Sequence, residues 1–290
     1  MSKIGIVIDS AVSIPEKLIR EYRIEVAHLV TIFGDKVYRD GLDLQTPAEL
    51  FRLIEKADKF PTSSAPPPAD YLEAYRRLSR RADGILCVTI SSKLSMSFKA
   101  ATAAKEMAKE KLPRVRIEVF DSGTTVGAAG LMALAAARAA ASGKGLNQVV
   151  KAAKEVRSRV NMLFIFDTLS YLAKSGRIGK AQAWMGNMMS MKPIVEVPPS
   201  LGVVTPVVRV RTKSQAVKRL LEIVKQRVGT EKPLHMMVQH TSSPDEAESL
   251  KQVVRDQFNC VELLVCEFKP VAALVTGPRI LGLSFYSEAA

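Results

Sequence analysis

The stretch Ile85-Leu86-Cys87-Val88-Thr89-Ile90-Ser91-Ser92-Lys93-Leu94-Ser95-Met96-Ser97, followed by an alanine-rich run from Phe98 to Glu110, decides the fold. An apolar run of strand length ends in hydroxyls, and a helix pattern begins at once. A helix start exposes backbone N–H groups that have no intrahelical partner, at the positive end of the peptide dipoles. Such a place either caps the helix through Ser92 or Ser95 or holds an anion among serine donors. The arrangement recurs. Ile4 to Ile8 ends in Asp9-Ser10, Val115 to Phe120 ends in Asp121-Ser122-Gly123-Thr124-Thr125, and Pro61-Thr62-Ser63-Ser64 reads as a further hydroxyl-rich turn.

Outward from this stretch, short apolar strands alternate with longer helical runs. Strands are expected at Ile4–Ile8, Glu25–Phe33, Gly84–Ile90 and Val115–Phe120. Helices are expected at Pro47–Lys56, Ala69–Arg80, Phe98–Lys111 and Val126–Ser142, the last closed by Gly143. The pattern predicts an α/β fold whose first domain has a largely parallel sheet flanked by helices. Ligands of such sheets bind beyond the carboxyl ends of the strands, where the hydroxyl clusters fall.

The second block reads as strands at Met162–Phe166, Ile194–Val197, Val203–Val210, Leu234–Gln239, Val261–Val265 and Ile280–Tyr286. Helices are expected at Thr168–Lys174, Trp184–Met191, Lys213–Arg227 and Pro244–Gln257. A hairpin-like turn at Pro198-Pro199-Ser200-Leu201-Gly202 makes this second sheet mixed. The polar segment Glu155–Arg159 marks the boundary, giving domains 1–157 and 158–290.

Composition narrows the class. The chain has 290 residues, 47% of them hydrophobic and 24% charged, the balance of a globular protein. The longest apolar run with few charges, Val126 to Ala137, is too short for a membrane span of roughly 20 residues. No secretion leader is legible, and Cys87, Cys260 and Cys266 fit reduced thiols, so a cytoplasmic location is expected. Forty-two Lys and Arg against 29 Asp and Glu leave a net charge of +13, which favours anionic partners. Aromatic residues are few and not interleaved with the basic ones, so nucleic acid is not expected as a partner. Lys174, Arg177, Lys180, Arg209, Arg211, Lys213 and Arg219 crowd the second half; they are either solvated charge or a docking face for an acidic partner or, peripherally, an anionic membrane. A monomer is expected.

The sequence holds no phosphate loop, dinucleotide-binding glycine pattern or nucleophile elbow. His235 and His240, five positions apart on an expected strand, point to opposite faces and cannot share a metal, so no metal site is expected. Asp9 and Asp121 either brace the turns that follow them or pair as carboxylates. Hydroxyls without an assignable base favour binding over catalysis, with no cofactor.

These segments fall in a familiar order. Val7-Ile8-Asp9-Ser10, Pro61-Thr62-Ser63, Ile90-Ser91-Ser92-Lys93-Leu94-Ser95 and Phe120-Asp121-Ser122 lead to Leu169-Ser170-Tyr171-Leu172-Ala173-Lys174-Ser175-Gly176-Arg177-Ile178. Met191-Lys192-Pro193-Ile194, Thr276-Gly277-Pro278 and Leu281–Tyr286 follow. In this order the chain resembles the DegV family, bacterial proteins that bind a fatty acid between two α/β domains. The resemblance implies that Thr62 and Ser95 contact the carboxylate of a long-chain fatty acid. It places Ser63, Ser91, Ser92, Thr276 and Arg177 around that head group. It implies a tail in an apolar tunnel of the second domain, for which Met188, Met189 and Met191 are suited, ordinary core packing being the alternative for them. It also implies a carrier, or a subunit that presents the acid to a separate fatty-acid kinase. An enzyme acting on a small anionic substrate at the strand ends is the alternative. The chain departs from the family pattern at Ser64-Ala65-Pro66, at Met96-Ser97, at Val275 where the family commonly has His, and at Arg279 where it commonly has Gly.

Overall fold

The computed structural model describes residues 3–187 and 191–288. The first half contains β1 (Ile4–Asp9), α1 (Glu16–Glu21), β2 (Glu25–Ala27), β3 (Val30–Phe33), β4 (Lys36–Arg39), α2 (Pro47–Glu55), β5 (Thr62–Ser64), α3 (Pro68–Ser79) and β6 (Gly84–Thr89). It continues with α4 (Ser97–Lys111), β7 (Arg116–Asp121), α5 (Val126–Ala141) and α6 (Leu146–Arg157). The second half contains β8 (Asn161–Ile165), α7 (Ser170–Lys174), β9 (Lys192–Glu196), β10 (Thr205–Val210), α8 (Lys213–Val228), β11 (Leu234–His240) and α9 (Pro244–Gln257). It closes with β12 (Cys260–Glu267), α10 (Pro270–Thr276) and β13 (Leu281–Ser287).

Two main sheets carry the molecule. The first has the order β2-β1-β6-β7 and is parallel throughout. The second has the order β10-β9-β8-β13-β11-β12, antiparallel except for β11 with β12. The α/β class, with one parallel and one mixed sheet, is as the sequence predicts. A third, small antiparallel sheet, β4-β3-β5, packs beside them.

Strand alternation sorts the core into layers. Val7, Ile85 and Cys87 face Tyr71, Tyr75, Ala101 and Ala104 of α3 and α4. Their neighbours Ile6, Ile8, Leu86 and Val88 face the other way, onto α5 and α6. In the second sheet Leu163 and Ile165 pack on α8 and α9, whereas Met162 and Phe164 join the α5 side. Helix α5 therefore lies between the two sheets. Its sequence, VGAAGLMALAAARAAA, is apolar on every face up to Arg138 in its last turn, the pattern of a buried helix. The division at 157/158 falls between α6 and β8, and one apolar cluster runs past it from Ile6 to Tyr286.

Several sequence expectations are corrected. Glu25–Phe33 is not one strand. Ser10 Oγ accepts the Leu29 N–H at 3.1 Å, and Leu29 O accepts from Asp40, so the chain leaves the first sheet at Ala27 and enters the small one at Val30. Pro61–Ser64 is not a turn; Thr62–Ser64 pairs with Ile32–Val30 as an edge strand. Of the segment expected as a helix over Trp184–Met191, the part Trp184–Asn187 belongs instead to a run of tighter, three-residue turns over Gly179–Asn187. Met188 and Met189 lie outside the described residues. The Pro198–Gly202 turn joins β9 and β10 as an antiparallel pair, as expected. All three cysteines are free.

Candidate functional site

In the first sheet, chain order runs from β1 outward to β2 on one side and to β6 and β7 on the other. The loops leaving β1 and β6 therefore diverge, and a crevice opens between their carboxyl ends. A cavity of about 200 Å³ begins there. Ala11, Ile90, Leu94, Ser95 and Met96 line it from the first sheet's loops. Met162, Phe164, Val195 and Val197 line it from the second sheet, and Val271, Ala272 and Val275 from α10.

The lining is apolar except for hydroxyls and one guanidinium. Ser63, Ser64, Ser95, Thr125 and Thr276 supply hydroxyls, and Arg177 supplies the charge. Arg177 is held beside the serine loop: its Nε donates to Leu94 O at 3.3 Å, and its NH1 donates to Ser175 O. A carboxylate at this corner meets a fixed cation and at least one hydroxyl, a charge-assisted arrangement. Beyond the corner the walls are Val, Phe, Met, Leu and Ala side chains, which suit a hydrocarbon.

The expected site residues divide into two sets. Ser63, Ser95, Thr276 and Arg177 line the cavity. Thr62, Ser91 and Ser92 are not among its lining residues. Thr62 is exposed on the edge strand. Ser91 is buried, and its Oγ donates to Gly202 O at 2.8 Å while its backbone N–H donates to Thr124 O. Ser92 is exposed, and its N–H reaches the Asp121 carboxylate. The Ser91 Oγ bond to Gly202 O, with Thr124 Oγ1 donating to Val197 O at 2.7 Å, clamps the β9–β10 hairpin onto the strand ends. Gly123 (φ +66) takes part: a Cβ there would lie 2.5 Å from Pro199 O. Met191 also lies away from the cavity, beside a surface groove with Arg209 and Arg219.

Ser95 has a structural role and also a place in the cavity lining. Its Oγ accepts the Ser97 N–H at 3.2 Å, satisfying an orphan donor at the start of α4, and it also faces the cavity. The two strand-end aspartates brace turns. Asp9 is fully buried and accepts from the N–H of Ala11 and of Ile90, and Asp121 accepts from Gly123 and Ser92. Burial pushes the Asp9 carboxyl up to about 7 despite those backbone donors. Asp40, which accepts the Val271 N–H that opens α10, is pushed up to about 6, again by burial.

The sequence reading missed α10. Its seven residues, PVAALVT, are an apolar run too short to show a period, and they supply one wall of the cavity. The two family departures near it resolve differently. Val275 lines the cavity, whereas Arg279 lies away from it and pairs with Asp167 at 3.4 Å and Glu246 at 3.9 Å. Among the described residues no cluster of metal-ligating side chains occurs, and no helix is long and apolar enough to cross a membrane. His235 instead sits between Glu262 and Glu288, stacked on Tyr286.

Two sheets around a buried helix, with an apolar cavity between them whose lining carries hydroxyls and one guanidinium, define a two-sheet α/β protein with an internal cavity. The chain belongs to the DegV family: the family model described as "Uncharacterised protein, DegV family COG1307" matches residues 3–288. A DegV domain-containing protein of Streptomyces coelicolor is 34% identical over 282 residues, covering 97% of each chain. A DegV family protein from Thermus thermophilus, described as binding fatty acid, superposes with a TM-score of 0.90 at 29% identity, covering 99% of this chain and 100% of its own. DegV of Bacillus subtilis, described as a fatty acid binding protein, gives 0.88 at 25% identity with the same coverage.

Proposed function

We propose that this protein binds one long-chain fatty acid, with its carboxylate at the Ser95–Arg177 corner and its tail between the two sheets, and acts as a carrier. The carrying observation is the cavity itself: apolar walls on both sheets and α10, with hydroxyls and one cation, Arg177, in the lining. Burying one methylene contributes about 0.8 kcal/mol, so a long tail supplies roughly 10 kcal/mol before ordering costs. A hydrogen bond to a charged group adds about 1.5–3 kcal/mol. The tail sets affinity and the corner sets orientation. The Thermus and Bacillus relatives described as fatty-acid binding support the assignment.

The described lining residues include no His, Asp, Glu or Lys, so the cavity offers its serines no adjacent base and supports carriage over hydrolysis. Presentation of the bound acid to a fatty-acid kinase is the same binding function extended to a partner. Its test is whether a purified kinase subunit converts the bound acid to an acyl phosphate. For binding, organic extraction and mass spectrometry of the purified protein should release long-chain acid, and added palmitate or oleate should raise the Tm of delipidated protein. Lipid-free protein with no thermal shift would overturn the proposal.

A further inference from the structure

Among the described strands, every sheet edge but one is built to resist further pairing. β2 and β5 have three residues each. β4 carries Lys36 and Arg39, and β7 interrupts its apolar residues with Arg116, Glu118 and Asp121. β10 has Pro206, a register shift beside it, and Arg209. Short strands, charges, proline and bulges are the ordinary protections of an edge. The exception is β12, whose sequence is CVELLVCE. After an irregularity at Val261 it pairs residue for residue with β11 from Glu262 to Glu267, and no described strand pairs with its outer side. Six of its eight residues are apolar, yet none is buried. Glu262 does not guard it, since that carboxylate is turned inward to Arg138 and His235.

We infer that β12 pairs antiparallel with β12 of a second copy, giving a two-fold dimer with one continuous sheet rather than the monomer expected from the sequence. A two-fold axis normal to the sheet keeps each face on its own side, so only residues of the same face can meet. Leu263 and Val265 pack on the α8 and α9 side, and Leu264 and Cys266 on the α5 side. Centred on Leu264, the axis sets Leu264 against its own copy, Leu263 against Val265, and Glu262 against Cys266. No like charges are opposed. Centring on either neighbouring residue instead sets Glu262 or Glu267 against a leucine.

The flanking elements fit a second copy of this chain. The same axis lays the two α9 helices antiparallel. The acidic first half of one, with Asp245 and Glu248, then lies beside Lys251 and Arg255 in the second half of the other. Apolar surface waits on both sides of the strand. Val253 of α9 is only partly buried on one face, and Leu18, Ile19 and Tyr22 of α1 on the other. Helix α1 is tied to this edge by the pair between Glu16 and Lys269, just past β12. At the margin of the pairing, Val261, 54% exposed, comes beside Glu267 of the second copy. No β12 residue lines the cavity, so the dimer is independent of the fatty-acid reading.

The test joins sedimentation velocity of the full chain to amide hydrogen exchange. The wild type should sediment as a dimer at micromolar concentration, and the amides of residues 262–266 should exchange faster on dilution, as the copies part. Because Val261 is exposed, either charge is accommodated there without disturbing the fold. Val261→Asp, set against Glu267 of the second copy, should weaken the dimer by about two- to thirtyfold, since each cross-strand charge pair is made twice. Val261→Lys should strengthen it by a similar factor. Circular dichroism and palmitate affinity should match wild type in both variants. A wild type that stays monomeric overturns the inference, and so does a dimer whose 262–266 amides exchange at the same rate on dilution. A dimer that both substitutions shift in the same direction, or that neither shifts, has its interface elsewhere and also overturns it. Palmitate binding is read separately in every case, so the fatty-acid reading stands or falls on its own.

Discussion

The backbone N–H of Gly127 donates to the side-chain Oε1 of Gln239 at 3.1 Å, joining the first turn of the central helix to the second sheet. Ser284 Oγ donates to the same oxygen at 2.9 Å from the neighbouring strand. Gly127 is required by proximity, since a Cβ there would lie 2.1 Å from Gln239 Oε1 and 2.5 Å from its Cδ. Beyond it the helix is buried against both sheets, alanines alternating with Leu131, Met132 and Leu134. The junction that bounds the cavity is therefore part of the folding core rather than a hinge between two separate ones.

Gly127→Ala should destabilise the protein by about 1–3 kcal/mol, the range for overpacking a filled core. Urea unfolding followed by circular dichroism measures it. A midpoint equal to wild type would mean that Gln239 moves freely and that α5 is not pinned there.

Ser95→Ala should show two losses because the hydroxyl has two partners. Fatty-acid binding should weaken by about 1.5–3 kcal/mol. Folding stability should drop by about 1 kcal/mol through the lost bond to the Ser97 N–H. Thr62→Val is the contrast: Thr62 is exposed and outside the lining, so binding should change by less than about twofold, as for a surface substitution away from the site. A tenfold loss in Thr62→Val would show that the edge strand resets when ligand enters. Ser63, which does line the cavity, would then be the weaker contact.

Much of this was legible in the residues. Parallel strands buried on both faces read as unbroken apolar runs, as in Gly84–Thr89, and polar turns bracket them. Asp9 and Ser95 stood out because acid and hydroxyl types ended apolar segments, and Arg177 through the family resemblance of the segment Leu169–Ile178. What the sequence hid was tertiary. The break at His28–Leu29 depends on Ser10, 19 residues away, taking a backbone N–H from the strand. The register that turns Ser63 inward and leaves Thr62 exposed is set by pairing with β3, since three residues are too few to show alternation. Ser91 and Ser95 share a loop and a hydroxyl, and only the seat of the β9–β10 hairpin directs Ser91 to Gly202.

Stability should respond to Asp9 in the direction opposite to an ordinary ion-paired carboxylate. The folded protein holds the Asp9 proton up to about 7, whereas the unfolded chain releases it near 3.9. The folded state thus binds more protons between these values. This contribution is fully present below about pH 4 and is lost as pH rises to about 7. Asp9→Asn stays neutral at every pH. Relative to wild type it should gain up to about 1.4 kcal/mol per pH unit between pH 5 and pH 7, whatever its starting offset. Parallel guanidinium titrations of the two proteins at pH 5, 6, 7 and 8 measure the gap. A gap that does not move with pH would place the Asp9 carboxylate in a solvated or cation-paired setting.

Arg279 follows α10 with a left-handed backbone, φ +58, which an L side chain adopts at a cost of about 1–2 kcal/mol. It is held there by backbone bonds, its N–H donating to Thr241 O and its carbonyl accepting from Lys213 Nζ at 2.9 Å. Its side chain is largely exposed, and its pairs with Asp167 and Glu246 are long, so they contribute about 0–1 kcal/mol. Glycine at this position removes the backbone strain and forfeits only those weak pairs. Arg279→Gly should therefore leave the protein as stable as wild type or up to about 2 kcal/mol more stable, the difference between the two contributions. Because Arg279 lies outside the cavity lining, palmitate affinity should be unchanged. A loss of affinity without a loss of stability would mean that its guanidinium reaches the carboxylate. The charge at the head-group corner would then be shared between Arg177 and Arg279 rather than carried by Arg177.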